Sequence, residues 1–146
     1  METDKKTKIT IEATVKAPLE TVWKLWTTPE DITKWNSASD DWHTTRAEND
    51  LRKGGKFVSR MEAKDGSVGF DFSGIYDEVI PNKRIAYTLE DSRKADIIFE
   101  DKGEKTHITQ TFEAESENPV DMQRDGWQAI MNNFKKYAEE HQRIKK

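Results

Sequence analysis

Four short connections constrain this chain more than any other feature. They are "KGGK" at 53–56, "KDG" at 64–66, "PN" at 81–82 and "DKGEK" at 101–105. Each separates segments in which apolar and polar residues alternate. Parallel strands need a crossover of about a dozen or more residues, whereas antiparallel neighbours can be joined by a tight turn. The segments are therefore expected to form an antiparallel meander. The first strand of this run is read at 46–51. The next carries Phe57, Ser59, Met61 and Ala63 on one face, and the one at 69–80 carries Phe70, Phe72 and Tyr76 together. Ile85, Tyr87 and Leu89 mark a further strand, then Ala95, Ile97 and Phe99, and last Ile108, Phe112 and Ala114. Such alternation gives a sheet one apolar face, and that face needs a cover.

The two ends of the chain supply it. Residues 8–16 set Ile9, Ile11, Ala13 and Val15 on one side, which predicts an opening strand. Pro18 then suits the first turn of a helix. Leu19, Val22, Trp23 and Trp26 recur at i, i+3, i+4 and i+7, an amphipathic spacing. Thr28 is the expected cap of a second short helix, with Pro29 at its first position and Ile32 and Trp35 on its inner face. Trp23 and Trp26 are read as core residues, Trp35 as bordering a cavity, and Trp42 as lying in the loop beyond. The longest helix closes the chain, with Asn118 as its cap, Pro119 in its first turn and an apolar stripe of Trp127, Ile130, Met131, Phe134 and Ala138. That stripe is expected to lie on the sheet. Residues 1–7 are read as a flexible N-terminus, 8–142 as a single domain and 143–146 as a tail.

Charge and composition exclude several functions. The net charge is −4, against the basic stripe of a phosphate-reading nucleic-acid binder. There are no cysteines, so disulfides, thiolate catalysis and Cys-ligated metals are out. No apolar run approaches the ~20 residues of a membrane span, and residues 1–8 lack the apolar stretch of a signal peptide. A cytoplasmic protein is the expectation. Asp40, Asp41 and His43 cluster in sequence, but the histidines show no i, i+4 pairing, so no metal and no cofactor are expected. "KGGK" lacks P-loop spacing and precedes a strand, which makes it a turn. No serine sits in a nucleophile elbow.

Four segments carry a resemblance. They are "ITIEATVKAPLETVWKLWTTPEDITKW" (9–35), "DLRKGGKF" (50–57), "FSGIYDEVIPNKRIAYT" (72–88) and "GWQAIMNNFKKYAE" (126–139). In this order they resemble the Bet v 1/START-like superfamily, and within it the branch of the C-terminal domain of the Hsp90 ATPase activator Aha1. The resemblance runs over about residues 8–142. It implies an α+β helix-grip fold, a curved antiparallel sheet wrapped around a long C-terminal helix, with two short helices after strand 1. It also implies an apolar cavity between sheet and helix. Members include lipid and hormone binders, aromatase/cyclase domains and the Hsp90 co-chaperone.

The expected partner is thus a hydrophobic or amphipathic small molecule, bound without chemical change, with a chaperone contact as the alternative and cyclase chemistry as a third reading. Trp35, Phe57, Met61, Phe72 and Tyr76 are the candidate ligand-binding residues from the first half of the chain. Tyr87, Phe99, Gln110, Trp127 and Met131 are those from the second. An apolar ligand burying ~250 Å² gains about 6 kcal/mol. Association costs reduce this, so affinity no better than roughly tens of micromolar is expected without a polar anchor. Candidate anchors are Arg60, His107, Gln110 and the hydroxyls of Tyr76 and Tyr87. Gln110 shares a face with Ile108 and Phe112, whereas His107 points the other way. Cyclase-type acid–base work would fall to Arg60, Tyr76 or Glu78.

Overall fold

The computed structural model describes residues 7–37, 41–116 and 118–144. The elements are β1 (Lys8–Val15), α1 (Leu19–Thr27), α2 (Pro29–Trp35), β2 (Trp42–Asn49), β3 (Lys56–Ala63), β4 (Gly69–Ile80), β5 (Arg84–Leu89), β6 (Lys94–Asp101), β7 (Thr106–Glu113) and α3 (Val120–Ile144). One seven-stranded sheet has the order β1-β7-β6-β5-β4-β3-β2, with every neighbouring pair antiparallel. The sheet curls, and α3 lies across its concave side with α1 and α2 at one end. This is the α+β helix-grip architecture that the short turns and the terminal apolar stripe predict.

Several boundaries differ from expectation. Trp42 opens β2 rather than lying in a loop, and the strand ends at Asn49. Its polar sequence hides the alternation, because Thr44 is its one buried residue among those described. Pro18 precedes α1 as its cap residue rather than sitting inside its first turn. Thr28 occupies the cap position of α2, but its hydroxyl donates back to Lys24 O at 2.6 Å and so closes α1 instead. At α3, the Asn118 side-chain amide donates to Glu115 Oε1, and the Asn118 carbonyl accepts from Gln123 Nε2. Residues 1–6 and 145–146 of the predicted flexible ends lie outside the described residues, as does Asp40. Thr7 is tied down, its carbonyl accepting from the Ala114 N–H at 2.8 Å.

The turn at 50–57 shows why two adjacent glycines stand there. Gly54 N–H donates to Tyr76 O and Tyr76 N–H donates to Gly55 O, so the turn pairs directly with β4. A Cβ on Gly55 would meet Asp50 O at 2.0 Å, which no side chain survives. Further along β4, a bulge at the register shift between Tyr76 and Glu78 reverses which residues face inward. Before it Phe72 and Tyr76 face the concave side; after it Glu78 turns outward to Arg84, at 2.7 Å.

The densest packing lies under β1, β7 and the C-terminal half of α3. Ile11, Val15, Ile108, Phe112, Met131, Phe134 and Ala138 are all at most 2% exposed. In α1 the fully buried residues are Val22 and Leu25, while Trp23 and Trp26 are half-buried. The helical face is centred between residues 22 and 25, so both indoles reach sideways from it. They do so usefully: Trp23 meets Phe99 edge-on at 5.2 Å, and Trp26 meets Phe134 at 4.8 Å and Trp35 at 4.8 Å. Trp35 is the most enclosed of the five indoles, and its N–H donates to Leu25 O at 3.0 Å. That bond satisfies the one polar atom of a buried tryptophan and fastens α2 to α1.

Candidate functional site

Under β2 to β6 the concave face is not filled. A cavity of about 350 Å³ lies between the sheet and the N-terminal half of α3 and is partly open to solvent. That volume falls at the low end of the ~300–1,000 Å³ of small-molecule sites. Its position follows from side-chain size and helix direction. Trp127 stacks flat on Phe112, with centroids 3.8 Å apart and planes 11° from parallel, and meets Phe72 edge-on at 6.0 Å. The indole acts as a pillar that holds this end of α3 off β3 and β4.

Aromatic side chains from three strands make the floor. Phe57 lies 5.1 Å from Tyr76 and meets Tyr87 edge-on at 4.9 Å. It reaches them because its cross-strand partner is Gly74. A Cβ there would come within 3.0 Å of the Phe57 ring and 2.5 Å of Thr88 O. Met61 and Ser59 continue the floor along β3, and Ile85 and Ile97 along β5 and β6. Trp26, Ile32 and Trp35 close the helical end. Phe70, 49% exposed, stands at the mouth, edge-on to Trp42 at 5.9 Å.

Eight of the ten predicted ligand-binding residues line this cavity: Trp35, Phe57, Met61, Phe72, Tyr76, Tyr87, Gln110 and Trp127. Phe99 and Met131 do not. They are 3% and 1% exposed and are consumed by the packed core, Phe99 beneath Trp23 and Trp26. Of the predicted anchors, Arg60 and His107 are on the convex face. Arg60 pairs with Glu62 at 3.0 Å and Asp71 at 3.4 Å, and His107 bonds Thr14 and Glu12, both at 2.8 Å. Glu78 is likewise outside, so of the three acid–base candidates Tyr76 alone reaches the cavity.

The polar atoms facing inward divide into spent and unspent. Tyr76 O–H donates to Asn49 Oδ1 at 2.5 Å, and Asn49 Nδ2 donates to Thr27 O at 2.7 Å. This string ties β4 to β2 and to the end of α1. Gln123 is also spent: it accepts from Glu115 N–H and donates to two carbonyls at the β7–α3 turn. Gln110 and Tyr87 are different. Both are 6% exposed, and they share a single long bond, Gln110 Nε2 to Tyr87 OH at 3.5 Å. Burial pushes both tyrosine hydroxyls far above their ordinary pKa of 10, so they remain protonated donors.

Sequence reasoning did not select Trp26, Asn49, Arg93 or Ile130 as cavity residues. Ile130 is visible in the helical stripe and Trp26 in the α1 spacing, but that spacing marks both as packing residues. Arg93 sits in the β5–β6 turn, where no periodicity tells which way a side chain points. Among the described residues there is no cluster of metal-binding side chains, and no helix is long and apolar enough to cross a membrane.

A curled sheet gripping a terminal helix, with an aromatic cavity between them, defines a helix-grip protein. Residues 16–139 match the family described as Activator of Hsp90 ATPase homolog 1-like protein, and this chain belongs to that family. Among solved structures, an AHSA1-like protein from Aeromonas hydrophila is 42% identical, with 92% of this chain and 94% of that one covered and a TM-score of 0.87. A protein from Cytophaga hutchinsonii is 49% identical over 93% of this chain and 94% of its own, with a TM-score of 0.80. The Aha1 dimer from Colwellia psychrerythraea shares the fold at 16% identity, with 91% and 96% of the chains covered and a TM-score of 0.71. No curated protein matches the chain.

Proposed function

We propose that this protein binds an apolar or amphipathic small molecule in the cavity between the sheet and α3, and releases it chemically unchanged. The observation that carries this reading is a cavity of about 350 Å³ walled by aromatic side chains, with the buried Gln110–Tyr87 pair left under-bonded inside it. A buried polar pair of that kind costs stability unless something completes its bonding. The absence of chemistry rests on the outward placement of Arg60 and Glu78, each already in ion pairs. A cytoplasmic site of action is part of the reading and suits a cysteine-free chain. A native mass spectrum of freshly purified protein tests it against the denatured mass. The reading expects a discrete excess mass that disappears on denaturation; a clean unliganded mass in every preparation, with no uptake of added aromatic amphiphiles, contradicts it.

A chaperone contact is the second reading, supported by the family and by exposed apolar residues. Val68, Phe70 and Met122 are 56%, 49% and 62% exposed. Stimulation of an Hsp90 ATPase by the purified protein would favour it, and no effect on ATPase rate or on co-sedimentation would remove it.

A further inference from the structure

Arg93, Tyr87 and Gln110 raise a question the cavity reading leaves open, namely which kind of polar head the ligand carries. Among the described charged residues lining the cavity, Arg93 is the one cation; Glu48 and Glu115 are the acids. The Arg93 side chain is 20% exposed, and its Nε donates to Asp91 Oδ2 at 2.7 Å. Asp91 is thus its ion-pair partner through Nε, and its two Nη groups make no hydrogen bond among the described residues. Glu115 is engaged otherwise, with Oε1 accepting from both the backbone N–H and the side-chain amide of Asn118, at 2.9 and 2.7 Å.

The Gln110–Tyr87 pair adds a donor that does not depend on how the amide is oriented. With Nε2 donating to the tyrosine oxygen, the tyrosine proton is unspent. With the amide turned over, Tyr87 donates to Oε1 and both Nε2 protons are unspent. Either way the buried pair offers a hydrogen to the cavity and lacks an acceptor to receive it. Arg93 and Tyr87 both line the cavity, and Tyr87 pairs across the strands with Ala95, two residues from Arg93; the Arg93 charge acts on the Tyr87 hydroxyl, working against the upward push of burial. At the helical end Trp26, Ile32 and Trp35 supply an apolar wall.

Resting on the cavity reading, we propose that the ligand is an amphipathic carboxylate. Its head accepts hydrogen bonds from the Arg93 Nη groups and from the Gln110–Tyr87 pair, and its apolar body runs toward Trp26 and Trp35. A planar guanidinium with free Nη groups matches a carboxylate better than a neutral head, and charge-assisted bonds are about twice as strong as neutral ones.

The test is isothermal titration calorimetry with a matched pair, 2-naphthaleneacetate and 2-naphthaleneethanol, at pH 8. They share an aromatic body and differ in the head. The wild type should bind the acid about tenfold or more tighter than the alcohol. In Arg93→Gln the two should bind alike, with folding confirmed by an unchanged urea midpoint. Lys94→Gln removes an equal charge beside it, outside the cavity, and should keep the preference. Equal affinity for both compounds in the wild type, or a preference that survives Arg93→Gln, overturns the carboxylate assignment and leaves the cavity reading standing. Binding of neither compound overturns both.

Discussion

The strands β1 and β7 carry the same inward alternation as β3 and β4, yet the two regions pack to different ends. Under β1 and β7 the inward side is packed except at Gln110, which lines the cavity, and Ile108, Phe134 and Ala138 are 0% exposed. Under β3 and β4 the inward residues Phe57 and Phe72 are half-buried, and Phe70 is open. One helix cannot cover seven curled strands equally. From its middle onward it carries Met131, Phe134 and Ala138, which are fully buried against the sheet and the two short helices. Its N-terminal half carries Trp127, whose stack on Phe112 props that end away. Sealed and open regions thus come from the residues along one helix, and the open one is where the proposed ligand would sit.

The comparison breaks most visibly by truncation. Phe134→Ala should cost about 3–5 kcal/mol in a urea melt, because it empties the meeting point of Trp26 and Trp35. Trp23→Ala removes a larger side chain from a half-buried site and should cost only about 1–2 kcal/mol. If the order is reversed, the sealed region has been placed wrongly.

Enlargement gives the next effect. Ala138→Leu forces extra volume into a site with 0% exposure and should destabilise by about 1–3 kcal/mol. Ser59→Leu points into the cavity and should stay within about 1 kcal/mol of wild type while reducing ligand uptake. Equal costs would mean that the space above Ser59 closes in solution.

Replacing the under-bonded amide should be almost free. Gln110→Leu exchanges a buried polar group for an apolar one of similar volume, so the unliganded protein should change by less than about 1 kcal/mol in either direction. Ligand affinity, read by calorimetry, should fall. A large loss of stability would show that Gln110 is structural.

The smallest effect concerns the anchor of α3 on the sealed side. Burial raises the Glu139 pKa, but hydrogen bonds from Lys135 at 2.6 Å and from Lys16 N–H at 2.9 Å, with the lysine charges, outweigh it and hold it below the ordinary 4.5. The folded pKa is depressed, so the stabilisation is fully present above the unfolded value and fades as pH falls through the folded one. Wild type and Glu139→Gln should therefore differ slightly in urea midpoint at pH 7 and converge in acid. A gap that widens below pH 4 would contradict this.

The architecture was legible because turn lengths and alternation act locally. "KGGK" and "KDG" dictate antiparallel neighbours whatever the rest of the chain does. The cavity was legible only in part. Alternation correctly grouped Phe57 with Met61, Phe72 with Tyr76, and Gln110 with Phe112. It could not show that Phe99 and Met131 would be absorbed by packing, since that depends on where α3 touches the sheet. Arg60 could have been set aside, because residues 59 and 61 face inward and it must face out. Arg93 was beyond reach: a turn residue has no period to read.

The most direct measurement is a methyl chemical-shift titration with 2-naphthaleneacetate. The account predicts shifts at Met61, Ile85, Ile97 and Ile130 around the cavity, with Ile9, Ile11 and Val15 unmoved on the sealed side. Shifts confined to β1 residues or to exposed methyls such as Ile75, or no saturable shift with this or other aromatic amphiphiles, would contradict it.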